Sequence, residues 1–225
     1  MIELIDVIAL STKHCKHPIR GKLAYATTDN FVGQILPGYH PEALEVCLMT
    51  PKAAHALCET QNHLSTQGLG LFIYDAYRPR RAVKYLMQWI EAPVISELEL
   101  IQKAKHYPLV EKKDFVKLHY VGEDSGHCYG NTVDVVLFDL KKQHTLAMGS
   151  IYDFMDEKSH LITGPEIIGQ EAYQRRQILL QAMTQQGFHS HSTEYWHFAH
   201  GGIEGREVKE PFDIEIKPEL KGCGS

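Results

Sequence analysis

A chain of 225 residues, 44% hydrophobic and 23% charged, has the profile of an ordinary globular protein and is long enough for one sizeable core. Its net charge of -5 argues against nucleic acid as a partner, because phosphate binding needs a concentrated basic surface. No window approaches the ~20 apolar residues of a transmembrane helix, so a membrane partner is not expected either. The N-terminal MIELIDVIALSTKHCKH carries acids near its start and lacks the basic opening of a signal peptide. A cytoplasmic protein is expected, or a periplasmic one if a leader once preceded it. Five cysteines with no CxxC pair read as buried free thiols rather than a disulfide framework or thiolate metal site. Fourteen histidines make metal chemistry worth testing.

In chain order, residues 51–66 start with a proline suited to a first helical turn, continue in good helix formers and end before Gly68 and Gly70. The apolar run 70–75 predicts a buried strand. Residues 79–91 place Val83, Leu86, Met87 and Ile90 at helical spacing. A short helix is expected over 94–106, and strands over 117–121, 132–138 and 195–199. The longest helix is expected over 166–186, with Gly187 as its stop. No repeat or Pro/Gly linker divides the chain. The expected fold is α+β, one domain over 1–225 with a core of about 20–205. A small, mostly antiparallel central sheet would carry the polar motifs, flanked by helices.

Three segments carry chemistry. In Ser125-Gly126-His127-Cys128-Tyr129-Gly130-Asn131-Thr132-Val133-Asp134, a histidine in a Gly-flanked turn precedes an aspartate set inside an apolar strand. A buried carboxylate is costly unless paired or bound to a metal. A turn-capping aspartate and a surface histidine would fit the local sequence equally well. In Glu194-Tyr195-Trp196-His197-Phe198, a carboxylate and an imidazole interrupt aromatic sequence. Hydrolytic zinc takes three protein ligands and leaves a fourth position for water. His127, Asp134 and His197 would make such a set and leave Glu194 as a general base. His189, His191 and His200 are rivals that spacing does not eliminate. In Tyr74-Asp75-Ala76-Tyr77-Arg78-Pro79-Arg80, an arginine stands at a strand–helix junction. Arg78 there suits either a surface ion pair or an oxyanion or carboxylate contact.

Together these segments resemble the D-alanyl-D-alanine dipeptidases of the VanX type, within the LAS group of zinc D-peptidases. Ser125, His127, Gly130 and Asp134 match that family's SxHxxGxxxD pattern, and Glu194, Trp196 and His197 its ExWH pattern. YDAYRPRRAV, YATTDNF at 25–31 and MGSIYDFMD at 148–156 resemble further family segments, in the same order. The resemblance implies one zinc per chain on His127, Asp134 and His197. It implies Glu194 as general base and Arg78 as stabiliser of the developing negative charge. It also implies Asp153 at the substrate ammonium, with Ser125 and Tyr25 at its carboxylate. The implied function is hydrolysis of D-alanyl-D-alanine, in wall-peptide turnover or glycopeptide resistance. The alternatives are a D,D-carboxypeptidase or endopeptidase of the wall with the same machinery, or a catalytically silent zinc module. Cys128 departs from the pattern. If the chain there is extended, Cys128 faces away from His127 and only packs. The first 20 residues and the tail after about 205 match nothing, so a homo-oligomer stays an open expectation.

Overall fold

The N-terminal strand and the C-terminal tail meet beside the main sheet. The computed structural model describes residues 3–94 and 96–224. Strand β1 (Ile5–Asp6) pairs antiparallel with β3 (Leu48–Met49). Asp6 then caps helix α1 (Val7–His14), its Oδ1 accepting from the Ile8 amide at 3.1 Å and the Ala9 amide at 3.5 Å. A side-chain oxygen satisfies amides that have no intrahelical partner, the usual reason for an aspartate at this position. Asp6 Oδ2 also accepts from the Gly222 amide at 2.9 Å, and the Asp6 amide donates to the Cys223 carbonyl at 3.0 Å. The two segments that matched nothing in the sequence thus close on one another.

Six strands form the main sheet in the order β2-β4-β5-β8-β7, with β6 on β5. They are β2 (Arg20–Gly21), β4 (Leu69–Asp75), β5 (Thr132–Asp139), β6 (His144–Thr145), β7 (Phe188–Ser190) and β8 (His197–His200). Only β2 and β4 run parallel; the remaining pairs are antiparallel, as expected. Alternation along β5 sends Asp134, Val136 and Phe138 to one face, and Val133, Val135 and Leu137 to the other. Register then sets the site. Asp134 lies opposite Asp75 of β4 and opposite His197 of β8, so three ionisable residues stand level across three strands.

Helix α2 (Pro51–Ser65) buries Ala53, Ala54, Leu57, Cys58 and Leu64 and packs against α1 and β4. Helix α3 (Arg80–Glu91) follows Pro79, and Ser96 caps α4 (Glu97–His106) through the Glu99 amide at 3.1 Å. The helix expected over 166–186 is two helices, α5 (Pro165–Ile168) and α6 (Gln170–Gln185). They break at Gly169, whose φ of 84° lies outside helical space and is open to glycine at little cost. Gly187 ends the run, as the sequence suggests.

The strand expected over 117–121 does not form. Phe115 is buried, but residues 116–119 are exposed and turn, and His119 at φ 63° breaks any extended run. Apolar alternation there reflects one buried anchor and a surface loop rather than a sheet partner. Among the described residues, no helix is long and apolar enough to cross a membrane.

Candidate metal centre and substrate cavity

His127 sits in a 3-10 turn (Gly126–Tyr129) that ends at Gly130. Gly130 has φ 72°, and a β-carbon there would stand 2.5 Å from Leu4 Cδ2, so the turn is closed by a residue that must be small. The His127 Nδ1 lies 2.6 Å from the Ala76 carbonyl, which can only accept. Nδ1 therefore carries the proton, and the Nε2 lone pair is left facing the start of β5 and β8. Such a backbone contact is the usual outer support of a metal-binding imidazole.

Nε2 of His127 is 3.3 Å from Asp134 Oδ1 and 3.3 Å from His197 Nδ1, and His197 Nδ1 is 3.1 Å from the same Asp134 oxygen. Asp134 Oδ1 is buried and, among the described residues, has no hydrogen-bond donor. Ligand atoms at about 2.0–2.1 Å from a tetrahedral ion stand roughly 3.3–3.4 Å apart. Three acceptor atoms at that spacing, one of them an orphaned carboxylate oxygen, fit a zinc-sized cation. The other Asp134 oxygen accepts from the Tyr152 hydroxyl at 2.9 Å. Burial raises the Asp134 carboxyl, but His127 and His197 in their protonated forms, the positive charge that a bound cation would replace, outweigh it and hold it well below the usual carboxylate range.

The rival histidines fall outside this cluster. His191 packs edge-on to His197, with ring centroids 5.3 Å apart, and its Nδ1 is 3.0 Å from the Thr193 hydroxyl. Burial, then His197, lower it to about 4. His200 packs on Phe188, and His189 is exposed at the cavity rim.

Glu194 Oε2 lies 3.6 Å from His197 Nδ1, beside the cluster and outside it. Burial, and then the charges of Asp134 and Asp153, push its carboxyl well above the ordinary range. Arg78 is held by Asp75, which accepts from its Nε at 2.9 Å and from the Tyr39 hydroxyl at 2.8 Å. The Arg78 NH2 is 3.8 Å from Asp134 Oδ2, and its guanidinium lies 4.8 Å from the centre of the Tyr25 ring. Asp75 and Tyr152 stand inside motifs the sequence singled out, yet neither stood out by type. Their signal was a buried acid at a strand end and a tyrosine beside Asp153.

A cavity of about 590 Å³ opens in front of the cluster, lined by Tyr25, Arg78, Ser125, Asp153, Glu194 and Arg206 among others. That is within the common range for small-molecule sites, about 300–1,000 Å³. Asp153 is buried with φ 56°, a conformation aspartate tolerates better than most residues, and its carbonyl oxygen faces His106 Nδ1 at 3.1 Å. Arg176 holds the surrounding loop, donating to the carbonyls of Met148, Lys158 and His160. Burial, then Asp134, push the Asp153 carboxyl well above its normal range, so a cation beside it would restore its charge. The expected pairing of Tyr25 with a carboxylate meets an obstacle. Its hydroxyl donates to Asp153 Oδ2 at 2.9 Å, which commits the proton to the opposite end. Ser125 lines the cavity with its hydroxyl in no hydrogen bond to another described residue.

Cys128 is buried against Val83 and Tyr129. It packs, as expected, although the chain is a 3-10 turn there and not extended.

The peptidase M15 family model, described as D-ala-D-ala dipeptidase, matches residues 9–214. A D-alanyl-D-alanine dipeptidase of Enterococcus faecalis is 36% identical over 182 residues, 81% of this chain and 86% of that protein. Dipeptidases of Streptomyces coelicolor and Escherichia coli are 35% and 33% identical, over 80% and 79% of this chain and 85% and 76% of theirs. A solved structure of a vancomycin resistance D,D-pentapeptidase, VanY, in complex with Zn(II) aligns at a TM-score of 0.39 and 15% identity, covering 71% of this chain and 76% of that one. A family match over residues 9–214, with relatives of this identity spanning most of both chains, places the chain in the peptidase M15 family of D-alanyl-D-alanine dipeptidases.

Proposed function

We propose that this chain hydrolyses the free dipeptide D-alanyl-D-alanine to two D-alanines, with one zinc ion per chain held by His127, Asp134 and His197. The observation that carries the reading is the convergence of three ligand atoms at 3.1–3.3 Å around an orphaned carboxylate oxygen. Zinc there supplies a Lewis acid for the scissile carbonyl and for water.

The remaining work belongs to side chains of this chain. Glu194, beside the ligands and not among them, takes a proton from the attacking water on its carboxylate and returns it to the leaving amine. Arg78, oriented by Asp75, faces the carbonyl oxygen as it gains negative charge. A preorganised guanidinium in a largely dry site stabilises that charge more than water would. Asp153 receives the substrate ammonium, and the Tyr25 hydroxyl fixes the Asp153 carboxylate for it. Ser125 offers its hydroxyl to the substrate carboxylate. Both ends of a dipeptide are thereby recognised. A blocked or extended end would leave a buried charge unpaired, which is how polar sites reject near analogues. The expected setting is the cytoplasm, in wall-peptide turnover or glycopeptide resistance.

The test compares rates on D-Ala-D-Ala, N-acetyl-D-Ala-D-Ala, a pentapeptide ending in D-Ala-D-Ala, and L-Ala-L-Ala. Rapid cleavage of the first alone is expected. Efficient cleavage of the acetylated or pentapeptide substrate would instead establish a carboxypeptidase. Efficient cleavage of L-Ala-L-Ala would remove the claim about chirality.

A further inference from the structure

A free dipeptide brings one positive and one negative end, and the cavity lining is unevenly charged. Asp124, Asp134, Asp153 and Glu194 supply carboxylates, whereas Arg78 and Arg206 are the arginines of the lining and no lysine joins them. Arg78, oriented by its Nε bond to Asp75, is assigned above to the negative charge developing on the scissile carbonyl rather than to the substrate's carboxylate. The Tyr25 hydroxyl donates its hydrogen bond to Asp153. A neutral Ser125 hydroxyl is left as the proposed partner of a full negative charge, although carboxylates are bound best by charged donors.

Arg206 meets that need. It comes from the tail after β8, and it is anchored on the loop that carries Ser125. Its NH1 donates to Asp124 Oδ2 at 3.1 Å, and its guanidinium lies 3.7 Å from the centre of the Tyr129 ring. The Tyr129 hydroxyl donates to Asp124 Oδ1 at 2.7 Å, so acid, ring and guanidinium form one unit beside Ser125 and two residues from His127. That single contact uses one of five N–H groups; among the described residues the other four make no hydrogen bond. The Arg206 side chain is 15% exposed and that of Asp124 65%, so the Asp124 charge is the more screened by water. A planar fork held at one edge and open along the other matches a carboxylate.

The geometry points to Arg206 as the specificity residue that pairs with the substrate's C-terminal carboxylate, working with Ser125 in the cavity that Asp153 also lines. The inference rests on the dipeptidase reading above and adds to it a charged partner from the tail. It predicts a strict requirement for a free carboxylate, set by a residue outside the metal motifs, nine positions past His197.

The experiment compares wild type, Arg206→Gln and Arg206→Lys on D-Ala-D-Ala and on its C-terminal amide. Glutamine keeps bulk on Tyr129 without the charge. For Arg206→Gln, the KM for D-Ala-D-Ala should rise on the order of tenfold to a hundredfold, the range of one charge-assisted hydrogen bond. kcat should change little, because the lost contact is shared by ground and transition states. Turnover of the amide should stay at the wild-type level, so the preference for acid over amide collapses. Arg206→Lys should recover part of that preference. An equal loss on acid and amide would mean that Arg206 only holds the loop, and an unchanged KM would mean that it does nothing; either result overturns the assignment. A wild type inactive on both substrates would instead overturn the dipeptidase reading and this proposal with it, a result distinct from either of those.

Discussion

Replacing Arg78 by lysine separates two jobs that the structure gives one side chain. The Arg78 guanidinium is buried, donates from Nε to Asp75 at 2.9 Å and reaches within 3.8 Å of Asp134. Lysine keeps the charge near Asp75 but offers a compact head on a flexible stem in place of two fixed donors. For stability, the change loses one charge-assisted hydrogen bond, about 1.5–3 kcal/mol. At roughly 2–4 °C per kcal/mol for a chain of this size, Tm should fall by about 3–12 °C. For catalysis, a donor aimed at developing negative charge is worth roughly 10²–10³ in kcat. Arg78→Lys should therefore fold, retain zinc, and lose about that factor in kcat with a smaller change in KM. Steady-state kinetics on D-Ala-D-Ala, with thermal unfolding and metal analysis on the same preparation, read all three. A kcat within roughly threefold of wild type would refute the role, because the reasoning demands more than about 2.7 kcal/mol at the transition state.

Three further substitutions probe separate parts of the account. Glu194→Gln should keep its zinc, since Glu194 lies outside the ligand cluster, and should lose roughly 10²–10⁴ in kcat; a zinc-loaded variant with normal turnover would make Glu194 structural. Cys128→Ser should keep both metal and kcat while losing about 1 kcal/mol of stability for a hydroxyl among Val83 and Tyr129; loss of metal would place Cys128 in the site. Asp6→Ala removes the cap of α1 and the bond from Gly222, about 2 kcal/mol together, so Tm should fall by roughly 4–8 °C with kcat unchanged. An unchanged Tm would show that the joined termini add nothing to stability.

The parts of the fold that were legible in the sequence are those whose pattern runs long enough to show a period. Helices α2 and α3 each bury a repeating face, strands β4 and β5 are largely buried apolar runs, and the positions of all four agree with expectation to within a residue or two. Strands of two or three residues, such as β1, β2, β3 and β7, are too short for alternation to show. Helix α1 was hidden because VIALSTKH is eight residues rich in branched side chains, and its start lies in the Asp6 cap rather than in its own pattern. The site divides in the same way. His127, Asp134 and His197 interrupt apolar sequence, and the structure brings them together. The role of Tyr25 depends on a hydroxyl bonded across 128 positions, and that of Arg206 on a tail folding back over the Ser125 loop. Neither contact leaves a local trace.

The central claim is that His127, Asp134 and His197 hold the zinc on which dipeptide hydrolysis depends. Purified protein should contain one zinc per chain and release D-alanine from D-Ala-D-Ala. It should lose both properties on dialysis against a chelator and regain them when zinc is restored. Asp134→Ala, which removes the shared oxygen of the cluster, should neither hold the metal nor recover activity. Full hydrolysis by metal-free protein, or undiminished zinc in Asp134→Ala, would contradict the account.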